Sequence, residues 1–564
     1  MSTDPLSTVA ERIEATFAAH EVVLTLGGEP TYVPENPEGA EWSVTALGPT
    51  KLAHAYALAA ALQQQALPHA VDFYCPGKSY PGELNPRWAI TLVWNRDGTP
   101  LFAASDSSAE SDPSDFREAL LPLLGLESGW LRAVDPFDED RAVWVLPLDH
   151  EDGAFISEDW ALGPDLTLLR TDGPAGLRLP MNELPADARR RALTVELRDD
   201  ELHLFLPPLM QPGFLALLNA CAVAASLCDA PHGAERRGYK VRFAGYLPGD
   251  DADRWSKLAI AADPGVLEIN LPPCTTWMEY RDWLATLERA TAACGLRSWK
   301  QTADGGQLGT GGGNHLLFGG PTLDTNPLFT RPRWVTSILR YWQHHPALSY
   351  LFTGQYVGAS SQAPRPDEGP TDYYDLEMAY RFLEELPPGD HRYLISETLR
   401  HLHTDAGGNT HRSETSFDKF WNVAFDGGCR GLIEFRAVES FPRAEWMSAI
   451  ALLWRAIAAR LLATPFLAPL IEHGDALHDR YFLPGGLIAD FDEVLADLRA
   501  AGFELPRAIF EQIIDWRCPV LLQSETGLIV RRALESWPLL CEQPLEGGST
   551  SRFVDTSIER LEFT

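Results

Sequence analysis

The sequence predicts an α+β fold whose antiparallel sheet is lined with acids and covered by helices. Three observations lead there. Short apolar strands come in groups followed by runs of helices, not as alternating βαβ units. Carboxylates sit inside apolar strands: Glu268 in Val266-Leu267-Glu268-Ile269-Asn270-Leu271, and Glu434 in Ile433-Glu434-Phe435-Arg436. A glycine-dense turn, Gly309-Thr310-Gly311-Gly312-Gly313-Asn314-His315, delivers a histidine onto the apolar strand Leu316-Leu317-Phe318.

Taken in order, an amphipathic helix over roughly 6–19 leads to the buried strand Val22-Val23-Leu24-Thr25-Leu26, with Glu29 closing it in Gly27-Gly28-Glu29-Pro30-Thr31. A helix near 50–65 and strands near 70–74 and 88–94 follow. The stretch 105–190 is acidic, rich in Pro and Gly and weakly periodic, which reads as an insertion or loose subdomain. Strands near 193–198 and 202–206 precede a helix near 212–228. Strands near 239–246, 256–261 and 266–271 then lead to a helix over 275–293. Residues 331–402 read as mostly helical, with a long loop at 354–372. The Glu434 strand runs into a strong helix over 444–462, then helices near 487–501 and 506–514 and a β-rich end. The expected segments are 1–104 and 191–465 as catalytic core, 105–190 inserted, and 466–564 as a helical and β-rich extension; 564 residues exceed one ordinary core.

Composition narrows the function. A hydrophobic content of 45%, with 17 Trp, 25 Phe and 15 Tyr, argues against disorder. A net charge of −33 repels phosphate backbones and anionic lipid, so neither nucleic acid nor a membrane surface is an expected partner. Met1-Ser2-Thr3-Asp4-Pro5 lacks the basic region of a targeting segment, and no apolar run looks long enough to span a bilayer. The eight cysteines form no CxxC pair, so the expectation is a reduced, cytoplasmic protein without a zinc ribbon or disulfide framework.

Strand side chains alternate faces, so Glu434 and Arg436 point one way, as do Glu268 and Asn270. Buried carboxylates need partners. Glu29, Glu268 and Glu434 with His315 would suit Mg²⁺ or Mn²⁺, which prefer oxygen ligands and tolerate an imidazole. For each acid taken alone, an ordinary ion pair is the commoner reading. Cations that could meet phosphate or carboxylate oxygens include Arg365 in a polar loop, Lys78 and Arg87 flanking Tyr80-Pro81-Gly82-Glu83, and His411-Arg412 ahead of Lys419. No P-loop lysine follows the glycine run, and neither GxGxxG after a strand nor GxSxG occurs.

Several long motifs in one order resemble a bacterial putative amidoligase family, often fused behind a transglutaminase-like domain, in the glutamine synthetase and glutamate–cysteine ligase superfamily. They are LTLGGEPTYV, GAEW, LGPTK, YPGELNPRWAI, DPGVLEINL, GTGGGNHLLFGG, RYWQHHPALSYLFTGQYVGASSQAPRPDE, THRSETSFDKF, RGLIEFRAVE and FVDTSIERLEF. The resemblance implies a glutamine synthetase-like antiparallel sheet, with Glu29, Glu268, His315 and Glu434 at metal-binding positions. It implies that His315 and Asn314 help hold nucleotide, with Lys78, that Arg436 faces the nucleotide phosphates, and that Arg365 contacts the γ-phosphate or an acyl phosphate. Glu41 is a further acid. Two departures stand out: Thr31 where the superfamily often has a second Glu, and Leu271-Pro272-Pro273 where the family usually has Ile-His-Pro. The implied activity is ATP-dependent joining of a carboxylate to an amine, on glutamate-like or peptide substrates, with an acyl phosphate shielded by loops such as 354–372. An acid must take the amine's proton, with Glu83 and Glu414 as candidates. A phosphotransferase of the same fold and a catalytically degenerate binding or scaffold subunit are the alternatives.

Overall fold

The computed structural model describes residues 5–77, 86–102, 113–160, 166–198, 201–227, 241–249, 254–302, 305–354, 357–369, 373–424, 427–544 and 550–564. The chain divides into two units, one made of 1–48 with 263–564 and the other of 49–262. Both are α+β.

The first unit holds the sheet that matters for function. Its strands are β1 (Thr25–Pro34), β2 (Val266–Asn270), β3 (Asn314–Gly319), β4 (Thr415–Ser416) and β5 (Ile433–Phe435), in the order β4-β5-β3-β1-β2. Each neighbouring pair in this order is antiparallel. β1 is longer than the sequence suggests and begins later, so Glu29 lies mid-strand instead of closing it. The reason is pairing on both edges. β3 holds Thr25 through Pro30 extended, and β2 holds Thr31 and Tyr32, so a Gly-Gly-Glu-Pro stretch that looks like a turn stays in the sheet.

One sheet face is apolar and packs on helices. α1 is Pro5–Ala19, α2 Trp277–Ala293, α3 Pro332–His344 and α4 Ala444–Ala463. Phe435 of β5 lies 5.2 Å, ring to ring, from Phe318 of β3 and 5.2 Å from Trp342 of α3. Burying such a side chain is worth about 1.5–3 kcal/mol. Gly28 faces α2 so closely that a Cβ there would sit 2.5 Å from the Tyr280 hydroxyl. The Trp277 indole of α2 donates to the Ser448 carbonyl of α4 at 2.7 Å. α4 is, contrary to the sequence reading, long and apolar enough to cross a membrane, but it is mostly buried inside this unit. Its Arg455, fully buried, is held by Glu14 of α1 at 2.5 Å and by the Leu24 carbonyl at 2.8 Å.

The second unit corrects two expectations. Its sheet is mixed, because Val241–Gly245 runs parallel to both Glu201–Leu206 and Val71–Pro76. The described part of 105–190 is an ordered piece of this unit, not a loose one: Asp138–Pro147 pairs with Ala192–Arg198, and the helix Pro113–Leu123 places Phe116 and Leu120 in a core with Phe73, Phe214 and Trp255. Long-range pairing supplies the order that weak local periodicity did not advertise. The boundaries expected at 104, 190 and 465 therefore do not coincide with the edges of the two units, and the β-rich end belongs to the first.

Candidate functional site

Residues directly opposite one another in an antiparallel pair share a face. Glu29 opposes His315 across β1 and β3, Thr31 opposes Glu268 across β1 and β2, and Leu317 and Ser416 flank Glu434 on either side of β5. Since Glu29 and Thr31 are two apart, as are His315 and Leu317, the register puts Glu29, Glu268, His315 and Glu434 on one face. This is the face opposite the helices.

The side chains converge there. His315 Nδ1 lies 3.2 Å from Glu29 Oε2 and 3.1 Å from Glu434 Oε1. Lys419, in the segment between β4 and β5, places its Nζ 2.7 Å from Glu29 and 3.4 Å from Glu434. Arg436 donates to Glu434 Oε1 at 2.7 Å, and Asn270 donates to Glu268 at 3.0 Å. Glu434 is wholly buried, and its Oε2 and the Arg436 Nε are buried without a hydrogen-bond partner.

Electrostatics separate the three acids. Burial opposes ionisation of Glu434, but the Lys419 and Arg436 charges overcome it and hold the carboxyl well below its ordinary range. Glu29 is likewise lowered, burial being outweighed by Lys419 and His315 against the opposing charge of Glu434. Glu268 is farther from these cations. Burial, and then the Glu29 charge, push it up to about 8. The His315 imidazole is raised, because its bonds to Glu29 and Glu434 outweigh burial and Arg436.

Other expected residues lie elsewhere. Asn314 belongs on the opposite face: it neighbours His315 on a strand, so alternation turns it toward α2, where the Tyr280 hydroxyl donates to its Oδ1 at 3.4 Å. Arg365 is not brought to the cluster. It is fully buried, with all five N–H donors committed: to Asp367 at 2.8 and 2.9 Å, to Ser349 at 2.8 Å, and to the Trp342 and Gln343 carbonyls at 3.2 and 2.8 Å. An arginine so satisfied pins its loop to the end of α3 and keeps no donor for a phosphate. Glu414 is buried and accepts from Ser349 at 2.5 Å, beside Arg365. Glu41 is buried in a short helix, Ala40–Trp42. Lys78 and Glu83 lie outside the described residues.

Two members of the site have roles that only the structure shows. Lys419 is one cation among several in the sequence, and its place in THRSETSFDKF says nothing of distance to Glu29. Thr31 has a structural role. Its hydroxyl is 2.6 Å from that of Thr310 and 3.0 Å from Ser440 Oγ, and it donates to the Gly313 carbonyl at 3.0 Å, so it fastens the glycine-rich turn to β1. Gly313 needs to be glycine because a Cβ there would collide with the His315 ring.

The donors of Glu29, His315 and Glu434 all lie within 4.8 Å of one another. With the orphaned buried Glu434 Oε2, hard carboxylate oxygens and one imidazole, this set fits Mg²⁺ or Mn²⁺.

A family model described as "Putative amidoligase enzyme (DUF2126)" matches residues 3–120 and 185–564. No curated protein and no solved structure matches the chain.

Proposed function

Because the chain belongs to that amidoligase family, we propose that it is an ATP-dependent carboxylate–amine ligase working through an acyl phosphate. The observation that carries this is the face just described: Glu29, Glu268 and Glu434 gathered with His315, Lys419 and Arg436 on one side of the sheet formed by β1 to β5. Such a face suits phosphoryl transfer, where catalysis is mostly positioning and charge stabilisation.

Hydroxide is a poor leaving group, so a carboxylate must first be activated. The carboxylate oxygen attacks the γ-phosphorus of ATP, ADP leaves, and an amine then displaces phosphate from the acyl carbon. Glu29, His315 and Glu434 would hold Mg²⁺ or Mn²⁺, which neutralises and orients the ATP phosphates when bound. Arg436, with its unused buried Nε, is the side chain whose donor geometry suits a phosphoryl oxygen. Lys419 and Arg436 keep Glu29 and Glu434 ionised, so both arrive as ligands without losing a proton. Thr31 fixes the turn that presents His315. Substrates of this reading are free or peptide-borne carboxylates and amines.

The test is ATP turnover with Mg²⁺, pooled amino acids and peptides as carboxylates, and hydroxylamine as amine trap. ADP and hydroxamate should form together, and Glu434→Ala and His315→Ala should each reduce both by roughly 100-fold or more. No ADP with any mixture, together with no ATP binding by calorimetry, would overturn the ligase reading in favour of a scaffold. A stable phosphorylated product that forms without any amine would point to a phosphotransferase.

A further inference from the structure

Past the end of β5 the chain slips by one residue against β3. Leu317 pairs with Glu434 and Leu316 with Phe435, but farther along Gly313 pairs with Glu439 where an unbroken register would bring Val438. The Asn314 N–H donates to the Val438 carbonyl at 2.8 Å. Simple alternation puts Glu439, five residues after Glu434, on the helix-covered face. The extra residue is a β-bulge, and it turns Glu439 back onto the face that His315 shares with Gly313.

The carboxylate that arrives there is surrounded by backbone. It is buried, 6% exposed. A Cβ on Gly309 would collide with its Oε2, and a Cβ on Gly354 would stand 3.3 Å away. The Glu439 N–H donates to the Phe352 carbonyl at 2.9 Å, but its carboxylate makes no hydrogen bond or ion pair with any described residue. Burial pushes its carboxyl up to about 8, opposed only in part by the Arg517 charge, since that guanidinium donates instead to the Gly354 carbonyl at 2.6 Å. An unpartnered buried carboxylate is costly, so this one gives up its proton at neutral pH only when a cation completes it. Against Gly309 and Gly354, where no side chain intrudes, a small cation suits it. A divalent ion needs several protein oxygens, and among the described residues Glu439 belongs to no three-donor cluster. A primary ammonium carries its own hydrogens and needs one good acceptor. Strands rise about 3.4 Å per residue, so Gly313, the residue opposite Glu439, stands about 7 Å along β3 from His315, near enough for an amine held by Glu439 to meet an acyl group activated beside the cluster.

We propose that Glu439 binds the primary ammonium of the amine substrate and takes its proton. This rests on the ligase reading above. One N–H bond of R–NH₃⁺ breaks, its proton moving to the Glu439 carboxylate. The freed lone pair forms the C–N bond as the acyl carbon–oxygen bond to phosphate breaks. A second proton passes from the nitrogen to the departing phosphate, which leaves as HPO₄²⁻ as the amide forms, and Glu439 returns its proton to solvent.

The experiment compares two amines with the same pooled carboxylates, ATP and Mg²⁺: hydroxylamine, uncharged at neutral pH, and methylammonium. Glu439→Gln should lower kcat/KM for methylammonium by roughly 100-fold or more beyond any change with hydroxylamine, as expected for a lost base and cation partner. Glu439→Asp should recover part of that difference. Equal losses with both amines, or no loss with either, would overturn the assignment while leaving the ligase reading intact. A drop in Mn²⁺ stoichiometry by electron paramagnetic resonance in Glu439→Gln would also overturn it, making Glu439 a metal ligand. Failure of the wild-type protein to form any hydroxamate would overturn both.

Discussion

Glu414 shows how burial without relocation distinguishes a structural acid from a reactive one. It sits among Arg365, Ser349 and the acids Asp367 and Glu368, and burial, only partly offset by Arg365, raises its carboxyl to about 7 from 4.5. Between these values the folded protein keeps a proton that the unfolded chain has released. The unfolded state binds fewer protons there, so this residue makes stability fall as pH rises from about 4.5 to about 7. Glu414→Gln should remove that slope. Urea unfolding of both proteins across this range would show the variant gaining on the wild type toward pH 7, and parallel profiles would refute the point. The same arithmetic explains why Arg365 has no spare donor: it is the cation that makes this acidic pocket tolerable.

At the level of elements, the sheet has two faces with different tolerances, and glycine appears on both. On the apolar face, Gly28→Ala forces Tyr280 of α2 away from β1. Overpacking of this kind costs about 1–3 kcal/mol, so thermal unfolding should register it. On the acidic face, Gly313→Ala pushes on the His315 ring, whose neighbours are ligands instead of packed core. Ligase activity should fall far more than stability does, measured by hydroxamate assay beside calorimetry. Alternation made the polar face legible in part: Glu434 with Arg436 and Glu268 with Asn270 are local relations. The length of β1 was not legible, because Gly-Gly-Glu-Pro carries turn chemistry that two flanking strands override.

Across the whole chain, a net charge of −33 means that folding gathers mutually repelling acids. Salt screens that repulsion over about 10 Å at 0.1 M. The melting temperature should therefore rise when monovalent salt is raised from about 10 mM to a few hundred millimolar, where the screening length shrinks several-fold. A flat or falling profile would show that the ion pairs already balance the charge. The same acidity concentrates divalent cations near the protein, which suits a site of three carboxylates.

The sequence by itself determined the α+β class, most element positions, the pairing of Glu434 with Arg436, and the family, since these rest on alternation, helical periodicity and the order of motifs along the chain. Only the tertiary structure decided which of the candidates meet. Lys419 reaches Glu29 across 390 residues, Arg365 is spent inside its own pocket, Asn314 turns to the helices, and a one-residue slip brings Glu439 to the acidic face. The physical reason is the same in each case. Local pattern fixes which way a side chain leaves its own strand, but strand register, bulges and the competition for buried hydrogen-bond partners are set by residues far away in the chain.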